Sequence, residues 1–104
     1  MLRVIRSDAF VEWLGALRDR AGAAKIRVQI ERLAQGNPGK ARPVGDGVRE
    51  LKIHFGPGYR VYFSHHGEEL IVILAGGDKS SQDRDIEIAK SLWNEWKEQN
   101  DGQG

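Results

Sequence analysis

The segment Val48–Phe63, with the sequence VRELKIHFGPGYRVYF, decides the fold of this chain. Apolar or aromatic residues occupy every second position from 51 to 55 and again from 59 to 63, on either side of a Gly-Pro-Gly loop. Period-two runs that flank a short glycine-containing loop are typical of a β-hairpin. A loop of residues 56–58 places Phe55 opposite Tyr59 and predicts three polar pairs: His54 with Arg60, Lys52 with Tyr62, and Glu50 with Ser64. The hairpin therefore has one apolar face for a core and one polar face with cations, an imidazole and a phenol.

The residues before the hairpin predict a strand, two helices and a loop. Leu2–Arg6 alternates weakly, as a short strand does. Ser7 is a good N-cap residue, and the apolar spacing after it predicts a helix that ends near Gly22. The helical period continues to about Gln35, so the two helices form a hairpin. Residues 36–47, rich in Gly and Pro, predict a surface loop.

The residues after the hairpin predict a buried strand and a third helix. Leu70–Ala75 is continuously apolar, which favours burial on both faces of a sheet. Residues 76–81 lead into a helix with Trp93 and Trp96 on its apolar face, and residues 99–104 form a polar tail. The element order is β-α-α-β-β-β-α. It predicts an α+β fold, a single domain over residues 1–98, with an antiparallel sheet of about four strands.

Composition favours a soluble globular protein of the cytoplasm. The chain has 104 residues, of which 39% are hydrophobic and 30% charged, and it contains no cysteine. A disulfide framework and a thiolate metal site are therefore excluded. The N-terminus lacks the apolar run of a signal peptide, and no stretch is long enough to cross a membrane.

Charge is distributed unevenly along the chain. Residues 1–42 contain nine Lys and Arg against four Asp and Glu, whereas residues 43–104 contain seven against eleven. This asymmetry is compatible with a basic surface for a polyanion. Solvated helix faces are the alternative explanation, since exposed helix faces are normally charged.

Three segments together resemble one known protein family. They are Gly47–Ile53 (GVRELKI), Phe55–Phe63 (FGPGYRVYF) and Leu74–Gln82 (LAGGDKSSQ). In this order and spacing they resemble the phage Gp49-like group of the RelE/ParE toxin superfamily, whose members are called addiction module killer proteins or HigB-like toxins. The N-terminal segments Phe10–Asp19 and Arg32–Gly39 are similar to it as well, so the resemblance spans about residues 8–96.

This resemblance implies a RelE-like fold and the toxin of a type II toxin-antitoxin system. RelE-like and HigB-like relatives cleave messenger RNA on the ribosome without a metal ion or cofactor, whereas ParE-like relatives inhibit DNA gyrase by binding. The implied partners are a helix-turn-helix antitoxin, the ribosome and mRNA. Operator DNA is contacted only through the complex with the antitoxin. A remnant that only binds its antitoxin is a further alternative.

The polar face of the hairpin supplies candidates for RNA cleavage. Cleavage without a metal uses the 2′-hydroxyl of the substrate as nucleophile, and it needs cations at the phosphate and groups that move protons. Arg60 falls on the Gly-Tyr-Arg arginine that RelE-like toxins use at the reacting phosphate, and Lys52 and Lys79 add positive charge. His54 and Tyr62 are candidate proton shuttles, and Tyr62 is alternatively a platform for stacking on a base.

The cations around this face are the candidates for RNA binding. They come from the second helix, the following loop and the hairpin: Lys25, Arg27, Arg32, Lys40, Arg42 and Arg49. Exposed charges that protect a sheet against aggregation are the alternative explanation. RelE-like enzymes carry a tyrosine after the last strand, and HigB-like ones a Tyr-His pair. Residues 78–85 contain neither residue type, which leaves His54, Tyr62 or charge alone for catalysis.

Overall fold

Strands and helices follow one another along residues 2–101, the part of the chain that the computed structural model describes. The N-terminal elements are β1 (Arg3–Arg6), α1 (Asp8–Ala16) and α2 (Arg20–Ala34). The sheet continues with β2 (Arg42–Gly45), β3 (Val48–Ile53), β4 (Tyr59–His66) and β5 (Leu70–Gly77). A 3₁₀ turn (Lys79–Ser81) then leads into α3 (Gln82–Asp101).

The five strands of this part of the chain form one mixed sheet in the order β1-β5-β4-β3-β2. The strands β2 to β5 pair antiparallel, and β1 pairs parallel with β5 at the edge. The prediction of an α+β fold is confirmed, but the sheet has one more strand than predicted and is not purely antiparallel. The strand that the sequence did not predict is β2, which lies in the predicted loop. Its sequence, Arg-Pro-Val-Gly, has no strand pattern, and its proline is tolerated because β2 lies at the edge of the sheet.

The register of the central hairpin differs from the prediction by two residues. Lys52 pairs with Arg60 and Ile53 with Tyr59, so residues 54–58 form the loop. The predicted pairing of Phe55 with Tyr59 is wrong, and so are the three predicted polar pairs, because Arg60 lies opposite Lys52 and Tyr62 lies opposite Glu50. Gly56 and Gly58 have positive φ angles of 55° and 79°, which a longer turn requires. Because the shift is an even number of residues, every side chain stays on its predicted face.

Helices cover both faces of the sheet and create two cores. On one face α1 and α2 bury the apolar side of the hairpin, with Phe10, Ile26, Ile30, Val61 and Phe63 among the buried residues. On the other face α3 covers a second core of Val48, Tyr62, Val72, Leu74, Ala89 and Trp93. Strand β5 contributes to both cores, as its continuous apolar sequence predicts. The sequence led us to expect an open polar face along the whole hairpin, but α3 covers part of that face.

The helix boundaries follow their capping residues. The Ser7 side chain accepts a hydrogen bond from the Phe10 N–H at 3.0 Å, which confirms Ser7 as the N-cap of α1. The first helix ends at Ala16 and not near Gly22, because Asp19 caps α2 through the Gly22 N–H at 2.9 Å. The helix α3 includes residues 99–101 of the predicted tail, and residues 102–104 lie outside the described residues. Among residues 2–101, no helix combines the length and apolar character needed to cross a bilayer.

Candidate functional site

The helix α3 leaves one end of the polar hairpin face uncovered. Lys52 and Arg60 are direct partners on β3 and β4 and therefore lie on the same face of the sheet. Tyr62, two residues further along β4, is fully buried under α3. Lys52 is exposed, which places it beyond the edge of the covered region. The polar face is thus accessible only near the hairpin loop.

Four of the five predicted catalytic residues line one depression at this end of the sheet. Lys52, His54, Arg60 and Lys79 surround it together with loop residues 55–58, and its volume is about 370 Å³. We call this depression the basic basin. Two of these side chains are lysines, one is an arginine and the fourth is an imidazole, so basic groups surround the depression. The basin can therefore hold an anion such as a phosphate diester.

Arg60 is fixed at the wall of the basic basin. Only 4% of the residue is exposed, so its guanidinium is held largely by the protein. Its Nη1 donates to the Gly58 carbonyl oxygen at 2.8 Å, and its Nε lies 3.7 Å from Oε2 of Glu50. The Nε atom is buried and has no hydrogen-bond partner among the described residues. Because a guanidinium stays protonated, Arg60 places a permanent positive charge next to the cavity.

Glu50 is the carboxylate that balances this buried charge. It is 3% exposed and accepts hydrogen bonds from Gln82 Nε2 at 2.9 Å and from Arg42 Nε at 3.0 Å. Burial acts to raise the pKa of Glu50, but the hydrogen bonds from Gln82 and Arg42 outweigh it and lower the pKa below its ordinary value. Glu50 is therefore ionised at neutral pH and attracts Arg60.

Glu50 has a role that the sequence did not indicate. In the sequence it is one polar residue on a strand face that we expected to be exposed. The available signal was a carboxylate between Val48 and Leu51 on a strand that the sequence places at the centre of the fold. The role of Gln82, which joins α3 to this carboxylate, depends on a contact between residues 32 positions apart.

Tyr62 lies apart from the basic basin. Its ring is fully buried in the second core, and its hydroxyl has no hydrogen-bond partner within residues 2–101. Burial and the negative charge of Glu50 raise the pKa of Tyr62 well above its ordinary value. A buried ring cannot stack on an RNA base, and a raised pKa disfavours proton transfer near neutrality. The structure therefore leaves His54 as the better placed of the two predicted proton shuttles.

Lys79 reaches the basin from the turn before α3. Asp78 caps this turn, because its Oδ1 accepts hydrogen bonds from the Ser80 N–H at 2.9 Å and from the Ser80 hydroxyl at 2.5 Å. The hydrogen bond from the Ser80 side chain is the main reason that the pKa of Asp78 is lowered. Asp78 thus caps the turn before α3, and Lys79 lies next to it at the basin.

Two further depressions adjoin the basin and share Lys52 and His54 with it. One, of about 430 Å³, lies between α2 and β3 and includes Lys25 and Arg32. The other, of about 300 Å³, includes Lys40 and Arg42. Four of the six predicted RNA-binding cations therefore lie around the predicted catalytic residues.

The other two predicted RNA-binding cations lie elsewhere. Arg27 is exposed on α2 outside these depressions. Arg49 is half-buried and donates from Nη2 to the Ala41 carbonyl oxygen at 3.1 Å, a contact that holds the segment before β2.

Arg42 is ion-paired with Glu50, although 61% of its side chain is exposed. It is therefore accessible to a ligand and connected to the buried carboxylate.

Comparison with known proteins identifies the family. The family profile described as phage derived protein Gp49-like (DUF891) matches residues 12–94. The chain therefore belongs to the Gp49-like family, which is associated with the toxins of toxin-antitoxin systems. An uncharacterized protein of Haemophilus influenzae (strain ATCC 51907 / DSM 11121 / KW20 / Rd) is 47% identical over 83 residues, which cover 80% of this chain and 84% of that protein. Family membership indicates an antitoxin as partner.

Proposed function

We propose that this protein is a ribosome-dependent mRNA endonuclease, the toxin of a type II toxin-antitoxin system. The observation that supports the proposal most is the convergence of Lys52, His54, Arg60 and Lys79 on one depression. Strand β3, the hairpin loop, β4 and the turn before α3 each contribute one of these four basic groups. Like charges repel each other, so such a cluster favours an anionic ligand.

The proposed reaction uses the 2′-hydroxyl of the substrate as nucleophile. Its oxygen attacks the adjacent phosphorus while the bond from phosphorus to the 5′-oxygen of the next nucleotide breaks. The products are a 2′,3′-cyclic phosphate and a 5′-hydroxyl. A proton leaves the 2′-hydroxyl and another reaches the departing 5′-oxygen. No metal ion or cofactor is required for this balance, and the protein supplies charge and proton transfer.

Each residue of the basin has a separate role in this proposal. Arg60 and Lys52 hold the non-bridging phosphate oxygens and stabilise the charge that develops on them in the transition state. Lys79 adds a third positive charge. The low dielectric around the buried Arg60 strengthens its effect on the phosphate. His54 is the imidazole of the basin and takes the role of accepting and donating protons.

The surrounding surface fits the remaining partners. The cations at 25, 32, 40 and 42 lie beside the basin and would contact RNA phosphates of mRNA or the ribosome. Such a protein acts in the cytoplasm, where ribosomes are. We propose a helix-turn-helix antitoxin as the neutralising partner, and binding of operator DNA only through that complex.

Induction of the toxin followed by mapping of RNA ends tests the proposal. Arg60→Ala should reduce cleavage by about a hundredfold or more, which is the usual loss when one preorganised transition-state contact is removed. Arg6→Ala is the matched control, since Arg6 is exposed on β1 at the far edge of the sheet. Antitoxin copurification shows that both variants are folded.

Two results would argue against the nuclease. One is full cleavage by a folded Arg60→Ala variant. The other is inhibition of DNA gyrase supercoiling by the purified wild-type protein without any new mRNA ends, which would favour the ParE-like alternative.

A further inference from the structure

The depression between α2 and β3 combines an apolar floor with a basic rim. Ala24, Val28 and Ile53 form apolar parts of its surface, and its volume is about 430 Å³. Val28 is 45% exposed, whereas its helix neighbours Ile26 and Ile30 are buried in the core. We call this depression the α2 groove. A large aliphatic side chain on its surface is not needed for packing, and the volume is within the range of small-ligand sites.

Polar groups of α2 line the same groove at helical spacing. Lys25 and Gln29 are four residues apart, and Arg32 lies one turn beyond Val28, so these side chains lie next to one another on the helix surface. The two cations can contact the phosphates of a bound nucleotide. The Gln29 amide has one acceptor and two donor positions, which suits the edge of a nucleobase.

The groove is continuous with the basic basin. Lys52 and His54 line both depressions. In addition, Lys25 Nζ lies 5.1 Å from the ring centroid of Phe55, a residue of the basin wall, so a cation–π contact joins the two rims. A chain of phosphates bound at Arg60 can therefore continue past Lys52 towards α2.

We infer that the α2 groove is a nucleobase-binding subsite that receives an unpaired base next to the phosphate in the basin. The base lies against Val28, and Gln29 contacts its polar edge. Bases of single-stranded RNA are recognised in this way, because an unstacked base exposes both its apolar face and its hydrogen-bonding edge. The inference rests on the proposed nuclease function and assigns the sequence preference of that function to α2.

The test measures base preference at each position around the cleavage sites, by sequencing RNA ends after brief induction. Wild type should prefer particular bases at one position next to the cut. Gln29→Ala should reduce this discrimination about fivefold or more, as expected for loss of a contact to a base edge. Val28→Trp fills the groove and should reduce cleavage about tenfold or more. Glu31→Trp is the matched control, because Glu31 is exposed on α2 outside the groove.

The outcomes separate this inference from the nuclease proposal. Cleavage that depends on Arg60 but keeps its base preference in both groove variants overturns the subsite alone. Loss of neutralisation by the antitoxin with unchanged cleavage also overturns it, and it would instead assign the groove to the antitoxin. Absence of Arg60-dependent cleavage in the wild type overturns the nuclease and the subsite together. Melting curves establish that each variant is folded, and Gln29→Ala alone suffices if Val28→Trp does not fold.

Discussion

Neutralising Glu50 should destabilise the protein and impair Arg60 at the same time. The substitution Glu50→Gln keeps the shape of the side chain but removes its charge. The carboxylate accepts from Gln82 on one oxygen and from Arg42 on the other, and an amide can accept with only one oxygen. Arg60, 4% exposed, also loses the negative charge that lies 3.7 Å from its Nε.

These losses allow the size of the effect to be worked out. A hydrogen bond to a charged group contributes about 1.5–3 kcal/mol, and removal of one partner from a buried ion pair costs about 3–5 kcal/mol. Since Arg60 and Glu50 are not in hydrogen-bond contact, we expect the lower end, about 3 kcal/mol. For a domain of this size that corresponds to a melting temperature lower by about 12–24 °C. A typical stability of about 5–15 kcal/mol leaves the variant folded at low temperature.

The assay compares melting curves and cleavage rates of the purified variants. At a temperature where all variants are folded, Glu50→Gln should lower kcat about tenfold to a hundredfold, because Arg60 is no longer held in place. In an Arg60→Ala background the same substitution should have no further effect on cleavage. Glu68→Gln, at an exposed turn, is the control and should change stability by less than about 0.5 kcal/mol. Wild-type melting and kcat in Glu50→Gln would refute this role of Glu50.

Three further predictions concern packing and ionisation. A methyl group at Gly76 would meet the tryptophan ring of α1, so Gly76→Ala should lower the free energy of unfolding in urea by about 1–3 kcal/mol. Gly15 has open space around it, so the control Gly15→Ala should raise that free energy by about 0.5–1 kcal/mol. Equal changes in the two variants would contradict this packing. The N–H of the first turn of α2 and the Tyr59 hydroxyl lower the pKa of Asp19, so its contribution to stability is present above the ordinary pKa of 3.8 and is lost as pH falls below it. The stability difference between wild type and Asp19→Asn should therefore shrink below about pH 4, and a constant difference would exclude this linkage. Burial raises the pKa of Tyr59 to about 12. The contribution of the neutral Tyr59 side chain to protein stability should therefore persist at pH 10 and be lost towards pH 12. An ultraviolet titration of the folded protein that shows a tyrosine ionising at pH 10 would contradict this.

Local patterns in the sequence predicted the parts of the fold that depend on neighbouring residues. The alternation around the Gly-Pro-Gly loop predicted the two faces of the hairpin, and the hydroxyl of Ser7 predicted the start of α1. The apolar run 70–75 predicted a strand that is buried on both faces. The sequence could not show that β1 pairs in parallel with β5, because that pairing joins residues such as Arg3 and Leu70 that are far apart in the chain.

The candidate site was predictable only in part, where its residues are neighbours in one local element. Lys52, His54 and Arg60 belong to one hairpin, so their proximity follows from strand geometry, and Lys79 lies just beyond the last strand. Coverage of the polar face by α3 was not predictable, since charged residues on a strand normally indicate exposure. Glu50 and Arg60 are buried because each compensates the charge of the other, and this compensation depends on contacts made in three dimensions.

Cleavage of a defined mRNA on purified, programmed ribosomes tests the role of the basic basin most directly. The substrate is used in two forms, one with ordinary ribose throughout and one with a single 2′-deoxy nucleotide at the previously mapped cut. We expect the wild-type protein to cleave the first form at this position, leaving a 2′,3′-cyclic phosphate, and to leave the deoxy position intact. We expect Arg60→Ala to cleave the first form about a hundredfold or more slowly than the wild type, and to leave the deoxy position intact. Equal cleavage of both forms, or cleavage by Arg60→Ala at the wild-type rate, would contradict a reaction in which the basin activates the 2′-hydroxyl.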